Sequence, residues 1–181
     1  QTCALPICIV VVEPGTVVRS LATGSGGSTV VLLSVATVTP RKGHADLFEA
    51  LRLLPPQGWR LVCVGSLERA PDTVARLRSQ LRDSGLEDRV QLAGEVSPDA
   101  LEQLYCQADG FVLATRYEGY GMVVAEAVAH GLPVIATRTG GIPTLVPSDA
   151  GLLVEPGDRD SLRAALATMV TDPAARARMA A

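Results

Sequence analysis

Short apolar segments that alternate with helical segments predict an α/β fold for residues 29–181 of this 181-residue chain. The apolar segments are rich in valine, leucine and isoleucine without polar alternation, which is typical of parallel strands buried on both faces. Strands joined through helices form right-handed βαβ units. We therefore expect a Rossmann-like open parallel sheet of about six strands with helices on both faces.

The predicted strands and helices follow one another with few interruptions. Ser97 before Pro98 and Asp158 after a glycine mark helix starts, because their oxygens can cap first-turn N–H groups, and Gly131 marks a helix end. The strands are predicted at residues 30–36, 60–64, 90–92, 110–114, 133–136 and 151–154. The helices are predicted at residues 45–54, 72–84, 98–107, 122–130, 158–170 and 172–179, with a short one at 142–146.

Residues 1–28 differ in composition from the rest of the chain, and we expect them to be a remnant strand, a hinge and a flexible linker. Residues 7–12 are apolar enough for a strand, residues 13–15 form a turn signal and residues 21–28 have a linker composition. The apolar run at 4–12 is shorter than the ~20 residues that cross a bilayer, and no basic lead-in of a signal peptide precedes it. We expect a cytoplasmic protein, with room for a peripheral membrane contact through the full-length protein.

Charge and cysteine content argue against two classes of function. The net charge is −3, the isoelectric point is about 5.4 and there is no long basic run, so a nucleic-acid-binding surface is not expected. The cysteines form no Cys-x-x-Cys pair and there are only two histidines, so we expect reduced thiols and no metal site. The cysteines are Cys3, Cys8, Cys63 and Cys106.

The loop after the first predicted strand carries two adjacent cations, Arg41 and Lys42. Ligands of open parallel sheets bind at the carboxyl ends of the strands, near the point where the strand order reverses. Pro40 and Gly43 shape this turn just before a helix, a favourable place for phosphate oxygens, with a solvated basic turn as the alternative. His44 is predicted to face solvent at the helix start, with a phosphate contact as its alternative.

The loop after the fourth predicted strand contains Glu118 and leads into a helix that contains Glu126. Gly119 and Gly121 allow the backbone to approach a ligand, and the free N–H groups of the helix start can bind an anion. The two carboxylates would face one pocket, where one accepts hydrogen bonds from a sugar and the other from a ribose. The alternative is that the helix dipole alone favours a glutamate at a helix start.

The loops after other strands offer small residues at the same edge of the sheet. Gly65 follows the second strand, Gly94 the third and Gly140 is close behind the fifth. Small residues, cations and carboxylates together at one edge predict a ligand site more specifically than any one loop does. Asp158 and Asp160 form an Asp-x-Asp sequence, which we predict to be a helix cap and not a metal motif.

Eight segments of the chain resemble the carboxy-terminal domain of retaining glycosyltransferases with the GT-B fold, known as group 1 or family 4. They cover residues 30–172 in the expected order. The segments are residues 40–43, 61–65, 90–94, 104–109, 118–127, 131–136, 140–143 and 151–158. The resemblance implies that residues 29–181 form one half of a GT-B fold, the half that binds a nucleotide diphosphate sugar.

The resemblance implies a role for each matching position. Lys42 would bind the donor diphosphate and stabilise the departing nucleotide, Glu118 would contact the donor sugar and Glu126 would hold the ribose hydroxyls. Many family members carry an arginine five residues before the lysine, whereas this chain has Thr37 there and Arg41 beside the lysine. The further positions placed around the donor are Gly65, Gly94, Glu95, Val96, Tyr120, Gly121 and Met122.

The implied function is transfer of a sugar from a UDP- or GDP-linked donor to an unknown acceptor, with retention at the anomeric carbon. No cofactor is implied, nor any metal between the phosphates. The acceptor site would belong to an amino-terminal domain, so we expect this chain by itself to bind the donor and to transfer nothing. Alternatives are a non-catalytic sugar-nucleotide-binding module and a GT-B epimerase or phosphorylase. A nicotinamide-binding domain is disfavoured because the glycine cluster at residues 24–27 precedes a strand.

Overall fold

The structure is a computed structural model that describes residue 15 and residues 19–55 and 58–180. The strand predicted at residues 7–12 and the thiols of Cys3 and Cys8 lie outside the described residues. Among the helices in the described ranges, none is both long and apolar enough to span a membrane.

Six parallel strands form one open sheet in the order β3-β2-β1-β4-β5-β6. The strands are β1 (Val30–Val35), β2 (Trp59–Val64), β3 (Val90–Gly94), β4 (Gly110–Leu113), β5 (Val134–Thr137) and β6 (Gly151–Val154). The order runs one way from β1 to β3 and the other way from β4 to β6, so it reverses between β1 and β4. The predicted fold class and the six predicted strands are confirmed.

Helices cover both faces of the sheet and create two apolar clusters. The helices are α1 (His44–Arg52), α2 (Pro71–Asp83), α3 (Pro98–Gln107), α4 (Met122–Ala129), α5 (Ile142–Leu145), α6 (Arg159–Thr171) and α7 (Pro173–Met179). Side chains of α1, α2 and α6 bury Phe48, Leu77 and Leu166 on one face. Side chains of α3, α4 and α5 contribute to the cluster on the other face. Each helix starts and ends within two residues of its predicted bounds.

Burial differs between the central and the edge strands. Every residue of β1, β4 and β5 is buried, as an apolar run predicts. In the edge strands β3 and β6 most residues are only partly buried, so the expectation of strands buried on both faces is wrong there. The reason is that an edge strand has one neighbour in the sheet, and the helices cover its outer side incompletely.

The segment with linker composition is held against the domain at several points. The backbone N–H of Ala22 donates to the His130 carbonyl at 2.8 Å, and that of Thr23 donates to the Cys106 carbonyl at 2.9 Å. The Asp109 carboxylate accepts from the backbone N–H of Ser25 at 3.0 Å. These contacts tie the residues before β1 to the ends of α3 and α4.

Candidate functional site

A cleft of about 440 Å³ opens at the carboxyl ends of β1 and β2, beside the reversal of strand order. Loops that are far apart in sequence build its walls. Its lining residues are Val35, Ala36, Thr37, Lys42, Val64, Gly65, Ser66, Glu95, Glu118, Tyr120, Gly121, Met122 and Val123. We call it the main cleft, and its position is the one in which open parallel sheets bind ligands.

A tight turn places Lys42 in the main cleft. Residues Pro40–Lys42 form one turn of 3₁₀ helix, and Gly43 then adopts a left-handed conformation with φ of 71° before α1 begins. A Cβ at this position would overlap the carbonyl oxygen of Ala114 at the end of β4. Only glycine satisfies both the positive φ and the close approach, so the turn that places Lys42 requires a glycine at position 43.

Glu118 meets Lys42 inside the main cleft. The Lys42 Nζ donates to Glu118 Oε2 at 2.5 Å, and the two side chains are 13% and 15% exposed. A charged hydrogen bond in such a sheltered position is stronger than one between exposed groups. The lysine charge is therefore balanced by a carboxylate.

The loop that carries Glu118 is attached to the lysine turn through backbone groups. The Arg116 N–H donates to the Arg41 carbonyl at 2.8 Å, and the Thr115 hydroxyl lies 3.2 Å from the same carbonyl oxygen. The Arg41 guanidinium donates to the Tyr117 carbonyl at 3.0 Å and is exposed. Arg41 therefore supports the loop from outside and does not line the main cleft.

An ion cluster on α1 anchors the same loop from the other side. The Asp46 carboxylate accepts from Arg116 Nη2 at 2.8 Å and from Arg159 Nη2 at 2.7 Å. Burial by itself raises the pKa of Asp46, but the hydrogen bonds from Arg116 and Arg159 outweigh it and leave that pKa below its usual value. Asp46 is thus charged and joins α1, α6 and the Glu118 loop.

The amino end of α4 faces the main cleft. Gly121 has φ of 99° and precedes the helix, and among the described residues no side chain caps the helix start. Met122 and Val123 line the main cleft, so their first-turn N–H groups are directed towards a ligand there. Gly140 packs against this loop, since a Cβ on it would overlap the Glu118 carbonyl oxygen.

Glu126 lines a different cleft, of about 290 Å³, on the α3 side of α4. Its carboxylate accepts from the Tyr105 hydroxyl at 3.0 Å. Burial, followed by the charge of Glu126, raises the pKa of Tyr105 well above its usual value, so the hydroxyl keeps its proton and donates. The residues around this second cleft are Arg19, Val96, Pro98, Leu101, Glu102, Tyr105, Glu126 and His130.

The structure brings together most of the residues predicted for the site. Those in the main cleft are Thr37, Lys42, Gly65, Glu95, Glu118, Tyr120, Gly121 and Met122. Val96 and Glu126 line the second cleft, whereas Arg41 and Gly94 line neither. Gly94 acts on the wall of the main cleft through its carbonyl, which accepts from the Gly65 N–H at 2.8 Å. The two glutamates thus face separate clefts and not one pocket.

Sequence reasoning missed part of the cleft lining and misplaced one side chain. Val123 lines the main cleft, and its only signal was adjacency to predicted site residues. Ser66 also lines it, in a loop that the sequence indicates is small enough to admit a ligand. His44, predicted to face solvent, is 2% exposed, and within the described part of the chain neither ring nitrogen has a hydrogen-bond partner. Burial, and next the nearby Lys42 charge, lowers the pKa of His44 to about 4. The prediction for His44 is wrong because α1 turns this side chain inward, next to Phe48.

The Asp-x-Asp sequence is a helix cap, as predicted. The Asp158 carboxylate accepts from the Ser161 backbone N–H at 3.0 Å and from its hydroxyl at 2.7 Å. The hydrogen bonds from Ser161 lower the pKa of Asp158. Asp160 is almost fully exposed. The contacts of Asp158 identify the start of α6.

The reversal of strand order and the cleft beside it define a doubly wound α/β domain of the ligand-binding class. A family model described as Glycosyl transferases group 1 matches residues 22–181. This chain therefore belongs to the group 1 glycosyl transferases.

Curated relatives agree with this family. The chain is 34% identical over 152 residues to a D-inositol 3-phosphate glycosyltransferase of Xylanimonas cellulosilytica, covering 83% of this chain and 36% of that protein. It is 31% identical over 139 residues to the mannosylfructose-phosphate synthase of Agrobacterium fabrum, covering 73% of this chain and 31% of that protein. The chain thus spans about a third of the length of these relatives.

Solved structures share the fold. The Anabaena protein Alr3699/HepE, in complex with UDP and glucose, superposes with a TM-score of 0.78 at 30% identity, covering 85% of this chain and 42% of that one. The carboxy-terminal domain of a group 1 glycosyl transferase family protein of Francisella tularensis, LpcC, superposes with a TM-score of 0.79 at 23% identity, covering 90% of both chains. The second likeness concerns the fold alone.

Proposed function

We propose that residues 29–181 bind the nucleotide diphosphate sugar donor of a glycosyltransferase, in the main cleft. The observation that carries the proposal is the sheltered Lys42–Glu118 pair, which faces the open start of α4 at the reversal of strand order. The crystallised Anabaena relative holds UDP and glucose, or UDP-glucose, and it matches this chain over the same domain. A UDP-linked donor is therefore the first ligand to test.

Lys42 and the α4 start supply the charge that the leaving nucleotide needs. When the bond from sugar to phosphate breaks, negative charge grows on the diphosphate, and donors already aimed at that charge lower the barrier. Lys42 contributes a full positive charge, and the N–H groups of Met122 and Val123 contribute the helix end. The scheme assigns no metal ion to the phosphates.

The two carboxylates, Glu118 and Glu126, bind different parts of the donor, the sugar and the ribose. Glu118 in the main cleft accepts hydrogen bonds from the sugar hydroxyls once the phosphates have drawn Lys42 away from it. Glu126 lies about one turn into the same helix and faces the second cleft, where it accepts hydrogen bonds from the ribose hydroxyls. Val96 lies in the second cleft and Gly94 supports the wall between the clefts, so the base lies near them. The donor thus extends across both clefts.

The full-length protein would complete the reaction. Because the chain spans about a third of its curated relatives, we assign the acceptor site to the part of the protein beyond it. Transfer would proceed with retention at the anomeric carbon, in a cytoplasmic enzyme. A non-catalytic sugar-nucleotide-binding module would share the main cleft, and sugar transfer by the full-length protein distinguishes the two.

Calorimetry with UDP, GDP and ADP and their sugar derivatives tests donor binding directly. We expect binding of at least one nucleotide diphosphate by this chain, with no sugar release or transfer. Glu126→Ala should weaken binding of a ribonucleotide more than that of its 2′-deoxy counterpart, because only the ribonucleotide offers the lost hydroxyl contact.

Two results would contradict the proposal. Absence of binding for all three nucleotides at millimolar concentration removes the donor site. Equal losses of affinity for the ribose and deoxyribose ligands in Glu126→Ala would contradict the ribose role of Glu126 but not donor binding in the main cleft.

A further inference from the structure

Three side chains of different chemistry meet beside the second cleft. Glu102 and Cys106 lie four residues apart on α3 and so share one face of that helix, and His130 follows the last residue of α4. One ligand atom from each lies within 4.8 Å of the others. Nothing in the proposed sugar transfer uses this group, which we call the Glu-Cys-His cluster.

His130 is fixed in an orientation that suits a ligand. Its ring is 1% exposed and stacks on Tyr105 with the ring centres 4.8 Å apart. Its Nδ1 lies 2.8 Å from the carbonyl oxygen of Ser20, which can only accept, so Nδ1 carries a proton. Nε2 is therefore the ring nitrogen left to face a ligand, which is the arrangement found in metal-bound histidines.

The other ring nitrogen faces a carboxylate. The His130 Nε2 lies 3.5 Å from Glu102 Oε2, a separation at which both atoms can bind one ion, whereas without an ion a protonated ring would pair with the carboxylate. The Cys106 sulfur is the third atom around the same space. Among the described residues, Arg19 is a competing cation, since its Nη1 lies 3.0 Å from Glu102 Oε2.

We propose that Glu102, Cys106 and His130 bind a divalent cation of the zinc type beside the second cleft. A thiolate, an imidazole nitrogen and a carboxylate oxygen form a ligand set that zinc accepts, with a fourth position left for water. Magnesium prefers oxygen ligands alone and does not fit. This departs from the sequence-based expectation of no metal, which rested on the lack of a Cys-x-x-Cys pair and on the presence of only two histidines.

Binding requires small local changes. The Arg19–Glu102 pair is about one-third exposed on both sides, so water screens it and the metal displaces the guanidinium at little cost. The thiol of Cys106 loses its proton as the metal binds. The bound ion would link α3 to the end of α4 and, through His130 and Ser20, to the segment before β1.

Metal titration of the full chain tests the site. Cys3 and Cys8 are first replaced by serine, because they could hold metal independently. After chelator treatment, Zn²⁺ should bind at one per chain in a competition assay, and Co²⁺ should give the near-ultraviolet absorption of a thiolate ligand. Cys106→Ser should remove that absorption and weaken Zn²⁺ binding by more than about 100-fold, as loss of mere supporting contacts already costs 10- to 100-fold.

Two further variants separate a metal site from a simple ion cluster. Arg19→Ala should tighten Zn²⁺ binding, because it removes the competing cation, and Glu102→Gln should weaken it. Glu155→Gln, which changes an exposed carboxylate bound to Arg138, is the matched control and should leave binding unchanged.

Two results of the Zn²⁺ titration would contradict a metal site. Stoichiometric Zn²⁺ binding that is absent, or that persists unchanged in Cys106→Ser, overturns the proposal. Circular dichroism of each variant confirms that it is folded. The titration uses no nucleotide, so its result is independent of donor binding in the main cleft.

Discussion

Two groups of ion pairs hold the loop that carries Glu118, and they differ in position and in partners. In the main cleft, one lysine meets one carboxylate, and both side chains line the ligand space. On the opposite side of α1, Asp46 holds Arg116 and Arg159, whose side chains are 60% and 57% exposed to solvent. The first pair lies in the proposed donor site, whereas the second links the loop to α1 and α6.

The difference shows that one short stretch of chain supplies both a side chain of the main cleft and a contact that holds the loop in place. Lys42, His44 and Asp46 alternate along five residues and face, respectively, the main cleft, the core and the arginines. The side chain in the main cleft, the buried side chain and the ion pair that holds the loop are thus neighbours in sequence. Each can be changed separately, so the contribution of each can be measured.

The largest effect is expected for Lys42→Ala on nucleotide diphosphate affinity. A hydrogen bond to a charged phosphate contributes about 2–3 kcal/mol, so affinity should fall by roughly 30- to 150-fold. Arg41→Ala is the matched control, because its guanidinium contacts Tyr117 outside the main cleft. Calorimetry of the two variants measures these affinities. Similar losses of affinity for both would show that Lys42 has no special contact with the donor.

A smaller effect is expected from acid, through His44. In the unfolded chain a histidine binds a proton below about pH 6.5, whereas folded His44, with its pKa of about 4, stays neutral. The unfolded state therefore gains protons first, and stability should fall from about pH 6.5 downwards and level off near pH 4. Between about pH 7.5 and pH 5 the loss attributable to His44 is about 2 kcal/mol.

Urea unfolding at those two pH values measures this loss. His44→Leu should remove most of the difference, and an NMR titration of the His44 ring in the unmodified chain provides the independent reading. A ring that titrates near its ordinary value would contradict the assignment. Carboxylates held at low pKa, such as Asp46, contribute to acid sensitivity only below about pH 4.

The smallest effect is expected for Asp46→Asn on stability. The substitution removes the charge that both arginines share, but water screens these exposed guanidinium groups, so we expect a loss of about 1.5 kcal/mol. Glu49→Gln is the control, since Glu49 pairs with Arg52 on the surface of the same helix and should cost less than about 0.5 kcal/mol. Equal unfolding midpoints for the two variants would show that the Asp46 cluster is only a surface pair.

The strands and helices could be predicted from the sequence because their apolar runs and helix caps agree with the fold. The central strands are runs of mostly apolar residues, and caps such as Ser97 mark helix starts that the structure retains. The Lys42 turn and Glu118 could be placed at one sheet edge, since every parallel strand ends there. Their direct contact could not be predicted, because it depends on how far two loops bend.

Other parts of the site depend on side-chain directions that periodicity does not fix. Glu126 was expected beside Glu118, but one turn of α4 carries it to the far side of the helix, towards Tyr105. His44 and Arg41 flank Lys42 and Gly43 closely, yet one is buried and the other is outside the cleft. The Glu-Cys-His cluster joins two residues of α3 to His130, which lies 24 positions after Cys106, and no spacing rule would have found it.

The strand order has a consequence for how a ligand affects folding. Lys42 follows β1 and Glu118 follows β4, 76 residues later, so the main cleft exists only when both halves of the sheet have formed and docked. A ligand there binds the folded chain and not the unfolded one, and it raises stability according to its concentration relative to its dissociation constant. Hydrogen exchange should therefore slow in β2 and in β5 alike, because opening either half releases the ligand.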